Sequence, residues 1–183
     1  MGENVAVREA GVHDVDAAVT LWTLSHVVRR NGRLLPEAHI ASAHERMAAP
    51  GALLLLARED SDHPDGGDDD GGDGDKESGA VIGTILGVQG RERDVFGPAV
   101  PGLLHISLLS VAPEHWGQHV GRLLVEQVLA RASALGYEQA QLWTHADNLR
   151  ANRLYKAMGF RRSGLVRVDE WGELLVHYRR SVD

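Results

Sequence analysis

Between Leu103 and Leu135 the chain changes its hydrophobic period once, abruptly. Leu103 to Val111 reads as a strand, stopped by Pro113. A glycine-bearing turn follows, and His119 to Leu135 then carries Val120, Leu123, Leu124, Val128 and Leu135 on one helical stripe, with Gly136 at its C-terminal stop. Elsewhere the periods alternate in the same way. Val5 to Arg8 alternates as a strand, and His13 to Ser25 repeats Val15, Ala18, Val19 and Trp22 at helical spacing. Pro36 suits the first turn of a second helix, with Ile40, Ala43 and Met47 on one face. Strands are expected at Ala52–Arg58, Ala80–Val88 and Glu138–Thr144, and a short helix capped by Asp147 or Asn148 ends at Gly159. Phe160–Val168 and Glu173–Arg180 read as a closing antiparallel pair. Gln89 to Gly102 reads as a loop, because Gly97, Pro98, Pro101 and Gly102 break it. The predicted order is strand, two helices, three strands, helix, strand, helix, two strands: one α/β domain over residues 1–183, with a mixed, mostly antiparallel sheet flanked by helices.

Charge narrows the function classes. The net charge of −7 comes from one segment: Glu59 to Glu77 holds ten carboxylates against Lys76 alone, while elsewhere 18 bases face 16 acids. The Asp- and Gly-rich stretch 59–79 cannot bury enough apolar surface to order itself and is expected to be a flexible hairpin-loop insertion. Without a basic stripe interleaved with aromatics, nucleic acid is not an expected partner. The longest apolar run, Ala52 to Ala57, is too short for a membrane span, and the N-terminal residues lack a secretory core, so a cytoplasmic protein is expected. The absence of cysteine removes thiolate nucleophiles and thiolate metal ligands. His115 and His119 have the spacing of a zinc pair, but Pro113 and Gly117 break the helix that such a pair needs. The acidic stretch matches no calcium-loop register, so no metal is expected. Ser107 lies near His105 without the GxSxG elbow of a hydrolase.

Two stretches carry chemistry. Leu109-Ser110-Val111 leads through Trp116-Gly117-Gln118-His119-Val120-Gly121-Arg122 into a helix N-terminus, whose free amides suit a phosphate or pyrophosphate. It is neither a P-loop nor a GxGxxG dinucleotide turn. The second stretch, Asn148 to Phe160, puts Asn148, Asn152 and Tyr155 near one helix face. Taken separately, these residues are a cap, a surface amide and a half-buried tyrosine.

Taken in this order, the two stretches resemble the GNAT superfamily of acyl-CoA N-acyltransferases over nearly the whole chain. The Asn-x-x-Ala-x-x-x-Tyr-x-x-x-Gly-Phe pattern matches at every named position from Asn148 to Phe160. The family's Arg/Gln-x-x-Gly-x-Gly/Ala pattern aligns with Trp116 to Gly121 and departs twice: Trp116 replaces Arg or Gln, and His119 replaces the first glycine. The resemblance implies acetyl-CoA as co-substrate and a small-molecule or peptide amine as acceptor. It implies that amides from Trp116 to Arg122 bind the pyrophosphate; His119, in place of the glycine, either crowds the phosphates or, if protonated, pairs with them, and contact with the pyrophosphate is the expectation here. Leu109, Ser110 and Val111 would pair with the pantetheine arm, and the Leu109 amide would polarise the thioester carbonyl. Asn148 and Asn152 would line the cofactor channel. Tyr155 would be the general acid, and His105 the base that takes the acceptor's proton, with His145 and Glu173 as weaker rivals. Strand periodicity sets His105, Ser107 and Leu109 on one face unless a bulge intervenes. Arg29, Arg30 and Arg33 lie in a region that borders the acceptor cleft in this family, and family habit allows a homodimer. The reading opposed to catalysis is a CoA-binding sensor or interaction protein, on the strength of Trp116 and His119.

Overall fold

A computed structural model describes residues 5–59, 79–92 and 97–182. Seven strands form one sheet: β1 (Val5–Glu9), β2 (Leu53–Glu59), β3 (Val81–Arg91), β4 (Ala99–Val111), β5 (Gln139–His145), β6 (Arg161–Val168) and β7 (Leu174–Ser181). Their spatial order is β1-β2-β3-β4-β5-β7-β6, and every neighbouring pair is antiparallel except β4 and β5. The helices are α1 (Val15–Arg29), α2 (Glu37–Met47), α3 (Val120–Ala134) and α4 (Leu149–Ala157). The element order is the expected one. Parallel neighbours cannot be joined by a hairpin, and α3 supplies the crossover.

The centre of the sheet is buried on both faces, while β6 is exposed along its length. Leu55, Ile85, Leu104, Ile106, Leu142 and Tyr178 pack with Leu124, Val125 and Val128 of α3 on one face. Leu54, Leu56, Leu86 and Leu108 pack with Val15, Val19 and Trp22 of α1 and with Met47 of α2 on the other. This explains the unbroken Leu53–Leu56 run, since a strand covered on both faces needs no polar alternation. A Cβ at Gly83 would lie 2.8 Å from Leu124 and 2.9 Å from Val120, so the missing side chain lets α3 lie close against β3.

Two expectations need correction. Gln89 to Gly102 is not wholly a loop: Gln89–Arg91 belong to β3 and Ala99–Gly102 to β4. The ladder jumps from Gln89↔Leu104 to Arg91↔Ala99, so Pro101 and Gly102 interrupt the pairing without ending the strand. Gln89 Nε2 bridges the irregularity by donating to the carbonyls of Val100 (2.6 Å) and Leu103 (3.2 Å).

The second correction concerns β4. Leu86 pairs with Leu108 but Gly87 pairs with Ile106, so Ser107 is an extra residue, a β-bulge. Alternation therefore resets at Ser107. Leu104 and Ile106 face α3 before it, and Leu109 and Val111 face α3 after it. Ser107 meets Arg46 of α2 instead. His105 and Ser107 thus lie on the α1–α2 face, and Leu109 does not share it.

β2 and β3 are antiparallel neighbours, as a hairpin requires, and the Glu59 amide donates to the Ala80 carbonyl at 3.3 Å. The acidic residues 60–78 between them lie outside the described residues. Among the described residues no helix is long and apolar enough to cross a membrane.

Candidate active site

The parallel pairing of β4 and β5 covers only Leu103–Ile106 against Gln139–Leu142. Beyond it, β4 stays with β3 as far as Val111, and β5 stays with β7 as far as His145. The two strands splay and leave a wedge in the middle of the sheet. Antiparallel bonding alternates along a strand. The Ala112 amide donates to the Ile82 carbonyl at 2.8 Å, so Ser110 and Leu108 also bond toward β3, while Leu109 and Val111 turn their backbone groups into the wedge. A cleft of about 1390 Å³ runs through it, bordered by Leu109, Ser110 and Val111 on one side and by Asn148 and Tyr155 on the other. Ser110 borders the cleft with its backbone turned away, which removes it from the expected pairing edge. The Val111 carbonyl is already engaged, by Trp116 Nε1 at 2.8 Å and Ser25 Oγ at 3.1 Å. Leu109 is the residue whose N–H and C=O the sheet leaves open.

At the mouth, the turn into α3 is built by two left-handed residues, Gly117 (φ +84°) and His119 (φ +66°). The first intrahelical bond runs from the Leu123 amide to the His119 carbonyl at 3.0 Å. The amides of Val120, Gly121 and Arg122 thus have no acceptor within the helix, and no side chain caps them. His119 occupies the backbone conformation that explains the family's glycine, at a cost of roughly 1 kcal/mol for a residue with a Cβ. A Cβ at Gly121 would lie 3.3 Å from Leu154, which lets α3 approach α4. Trp116 is held from two sides, by its bond to Val111 and by the Arg150 guanidinium stacked 3.9 Å from its ring. Arg122 is paired with Glu126 at 2.8 Å. Of the seven residues Trp116–Arg122, Gln118 alone does not border the cleft; its side chain turns back to His115 and the Glu114 carbonyl.

Tyr155, on α4, is 5% exposed and meets Phe160 edge-on at 5.7 Å. Burial pushes its phenol well above the ordinary value, so it keeps its proton. Asn148 caps α4 by accepting from the Ala151 amide at 3.2 Å. Asn152 corrects the sequence expectation. It does not border the cleft and is 5% exposed. Its Nδ2 donates to the carbonyls of His145 (2.9 Å) and Asn148 (2.8 Å), and its Oδ1 accepts from Tyr178 Oη (2.8 Å). It is a strut between α4, β5 and β7, and a buried amide used on both sides is not open to a ligand.

The α1–α2 face of the cleft holds His105, half-buried on β4, together with groups that sequence reasoning passed over: His26, Arg46, Trp143 and Trp171. Burial, then the charges of Arg29 and His145, pull His26 down to about 4, so it is neutral. His145 and Glu173 are not isolated groups. His145 Nε2 lies 3.1 Å from Glu173 and 3.2 Å from Asp169, and Glu173 pairs with Arg29 (3.0 Å) and Arg30 (3.3 Å). Burial alone would raise the Glu173 carboxyl, but the Arg29 hydrogen bond and the surrounding cations win and hold it below the usual range. These bonds close the turn between β6 and β7 onto α1. The ligand atoms of His145, Asp169 and Glu173 come within 4.8 Å of one another, yet Arg29 and Arg30 already supply the positive charge that a metal would bring. Of the three arginines expected near the cleft, Arg29 borders it, Arg30 is stacked 4.1 Å from Trp171, and Arg33 does not reach it.

The acetyltransferase (GNAT) family model matches residues 43–160. The chain is 36% identical over 86 residues to the probable N-acetyltransferase family 8 member 5 of Mus musculus, 47% of this chain and 36% of that one. It thus spans about a third of that relative's length. Among solved structures it is similar to the ribosomal-protein-S18-alanine N-acetyltransferase of Escherichia coli (TM-score 0.67, 16% identity, 98% of this chain and 95% of that one). It is also similar to the PaiA N-acetyltransferase of Thermoplasma acidophilum in complex with coenzyme A (TM-score 0.62, 15% identity, 97% and 99%). At these identities the structural likeness is one of fold.

Proposed function

The chain belongs to the acetyltransferase (GNAT) family, and from that membership we propose that it moves an acetyl group from acetyl-CoA to a primary amine by direct attack in a ternary complex. The observation that carries this reading is the wedge between β4 and β5, with the open backbone of Leu109 inside it. Acetyl-CoA would supply the activated acyl carbon as a thioester. The free amides of Val120, Gly121 and Arg122 suit its pyrophosphate, because a helix N-terminus presents donors and partial positive charge together. His119 stands at that turn with its side chain exposed. Leu109 would bond the pantetheine arm as an added strand does, and its open N–H supports a role in polarising the acyl oxygen.

The proton balance falls to two side chains on opposite faces of β4. His105 takes a proton from the attacking amine as the carbon–nitrogen bond forms. Tyr155 gives its Oη proton to the sulfur as the carbon–sulfur bond breaks. Burial makes Tyr155 a reluctant acid, but the same desolvation makes a thiolate released there a stronger base.

Thiol release from acetyl-CoA, measured against a panel of amines, tests the reading. Turnover is expected with at least one amine, and Tyr155→Phe should lower kcat while leaving CoA binding intact. Saturable CoA binding without turnover of any amine would overturn it in favour of a binding protein that does no chemistry.

A further inference from the structure

Arg46 stands in the last turn of α2 and enters the cleft on the face of His105. Its Nη1 donates to Ser107 Oγ at 2.9 Å and its Nε to the Ser42 carbonyl at 3.2 Å. Both acceptors are neutral. Among the described residues the other N–H groups of the guanidinium fork have no acceptor, and Arg46 has no ion pair with a carboxylate. Neighbouring charges differ in this respect: Arg29 is matched by Glu173, Asp169 by His145, and Glu170 by His39. Arg46 is exposed at the cleft surface, and packing of its side chain lowers its pKa through desolvation; among the described residues its partners are the two neutral acceptors and no carboxylate.

The position of this cation is also informative. Ser107, which holds it, is the bulge residue of β4, two residues from His105 and two from Leu109. Two strand residues span about 6.6 Å. The fork, His105 and Leu109 therefore border one cleft, with Arg46 fixed to the strand residue midway between the other two.

We infer that the acceptor is a small amino acid, a primary amine with a carboxylate a few bonds from its nitrogen, and that Arg46 is the specificity-determining residue that receives the carboxylate. This rests on the acetyl-transfer reading above. A charge-assisted, two-pronged hydrogen bond separates an acid from its amide by roughly 10- to 100-fold.

The test compares amino acids with their carboxamides as acceptors, in the wild-type protein, Arg46→Ala and Arg46→Lys, with folding checked by circular dichroism. The wild-type protein is expected to prefer the acid by about that factor in kcat/KM, chiefly through KM. The preference should fall to about one in Arg46→Ala and be partly kept in Arg46→Lys, which retains the charge but not the fork. Calorimetric titration of the same pairs into CoA-loaded protein reads the anchor without the chemistry. Acid-selective binding that Arg46→Ala abolishes supports the inference even if no amine turns over, and that outcome sinks the acetyl-transfer reading alone. Equal handling of acid and amide by the wild-type protein, or a preference that survives Arg46→Ala, overturns the inference.

Discussion

The two sides of the cleft are held by different physics. On the side of α3, the surfaces offered to a ligand are backbone groups: the amides of Val120–Arg122, the edge of Leu109, and a turn set by Gly117 and His119. On the side of α1 and α2 they are side chains, and the wall is fastened by ion pairs such as Arg29–Glu173, which joins residues 144 positions apart. A backbone site depends on local conformation, and on the proposed reading it accommodates Trp116 and His119. A side-chain site is rebuilt by a single substitution, which allows a shared donor site to serve different acceptors.

The largest effect that separates the two sides is expected at Tyr155. Tyr155→Phe should cost about 10²- to 10⁴-fold in kcat, the usual range for a lost general acid, with CoA affinity unchanged in calorimetry. A parallel loss of CoA binding would mean that the ring, not the hydroxyl, matters.

Asn152→Ala comes next. It removes the side-chain bonds to the His145 and Asn148 carbonyls, which keep their backbone partners, and the buried acceptor of the Tyr178 hydroxyl, and unfolding should show a loss of about 1–3 kcal/mol. A near-neutral variant with weakened CoA binding would return Asn152 to the ligand site.

Acidification probes the side-chain wall. His26 is held at about 4 in the folded protein against about 6.5 when free, so the unfolded chain binds the extra proton between those values. Stability should therefore fall as pH drops from 6.5 toward 4, by at most about 1.4 kcal/mol per pH unit from this group. Asp169 and Glu173, both held below their usual range, keep their contribution above the ordinary carboxylate pKa and lose it below. His26→Phe should flatten the upper part of the profile. An unchanged profile would show that His26 is as solvated folded as unfolded.

The smallest effect belongs to the backbone side. His119→Gly removes the left-handed strain but adds chain entropy to the unfolded state, so stability should rise by no more than about 1 kcal/mol. If the imidazole meets the pyrophosphate, CoA affinity should fall in this variant. An unchanged or higher affinity would leave His119 with a steric role only.

The asymmetry also explains what was legible in the sequence. The element order, the α3 turn and the Asn148–Phe160 helix could be read because each rests on local spacing: a period, a breaker, a cap. The bulge at Ser107 could not, because it is a mismatch with a second strand and leaves no mark on β4 itself. It moved His105 and Leu109 to opposite faces. Asn152 was misplaced for a related reason. Helical spacing set it beside Asn148 and Tyr155, but Tyr178, 26 residues on, decides where its amide is used. Arg46 had no signal at all: in the sequence it is one surface-like arginine on an amphipathic helix, and only Ser107, 61 residues away, gives it a position.

The central claim is that the wedge between β4 and β5 receives the acyl donor. Titrating CoA into ¹⁵N-labelled protein and following the backbone amides tests it directly. The amides of Leu109, Val120, Gly121 and Arg122 should shift together and saturate with one dissociation constant. Saturable CoA binding that leaves those four amides unmoved, while amides elsewhere respond, would contradict the account.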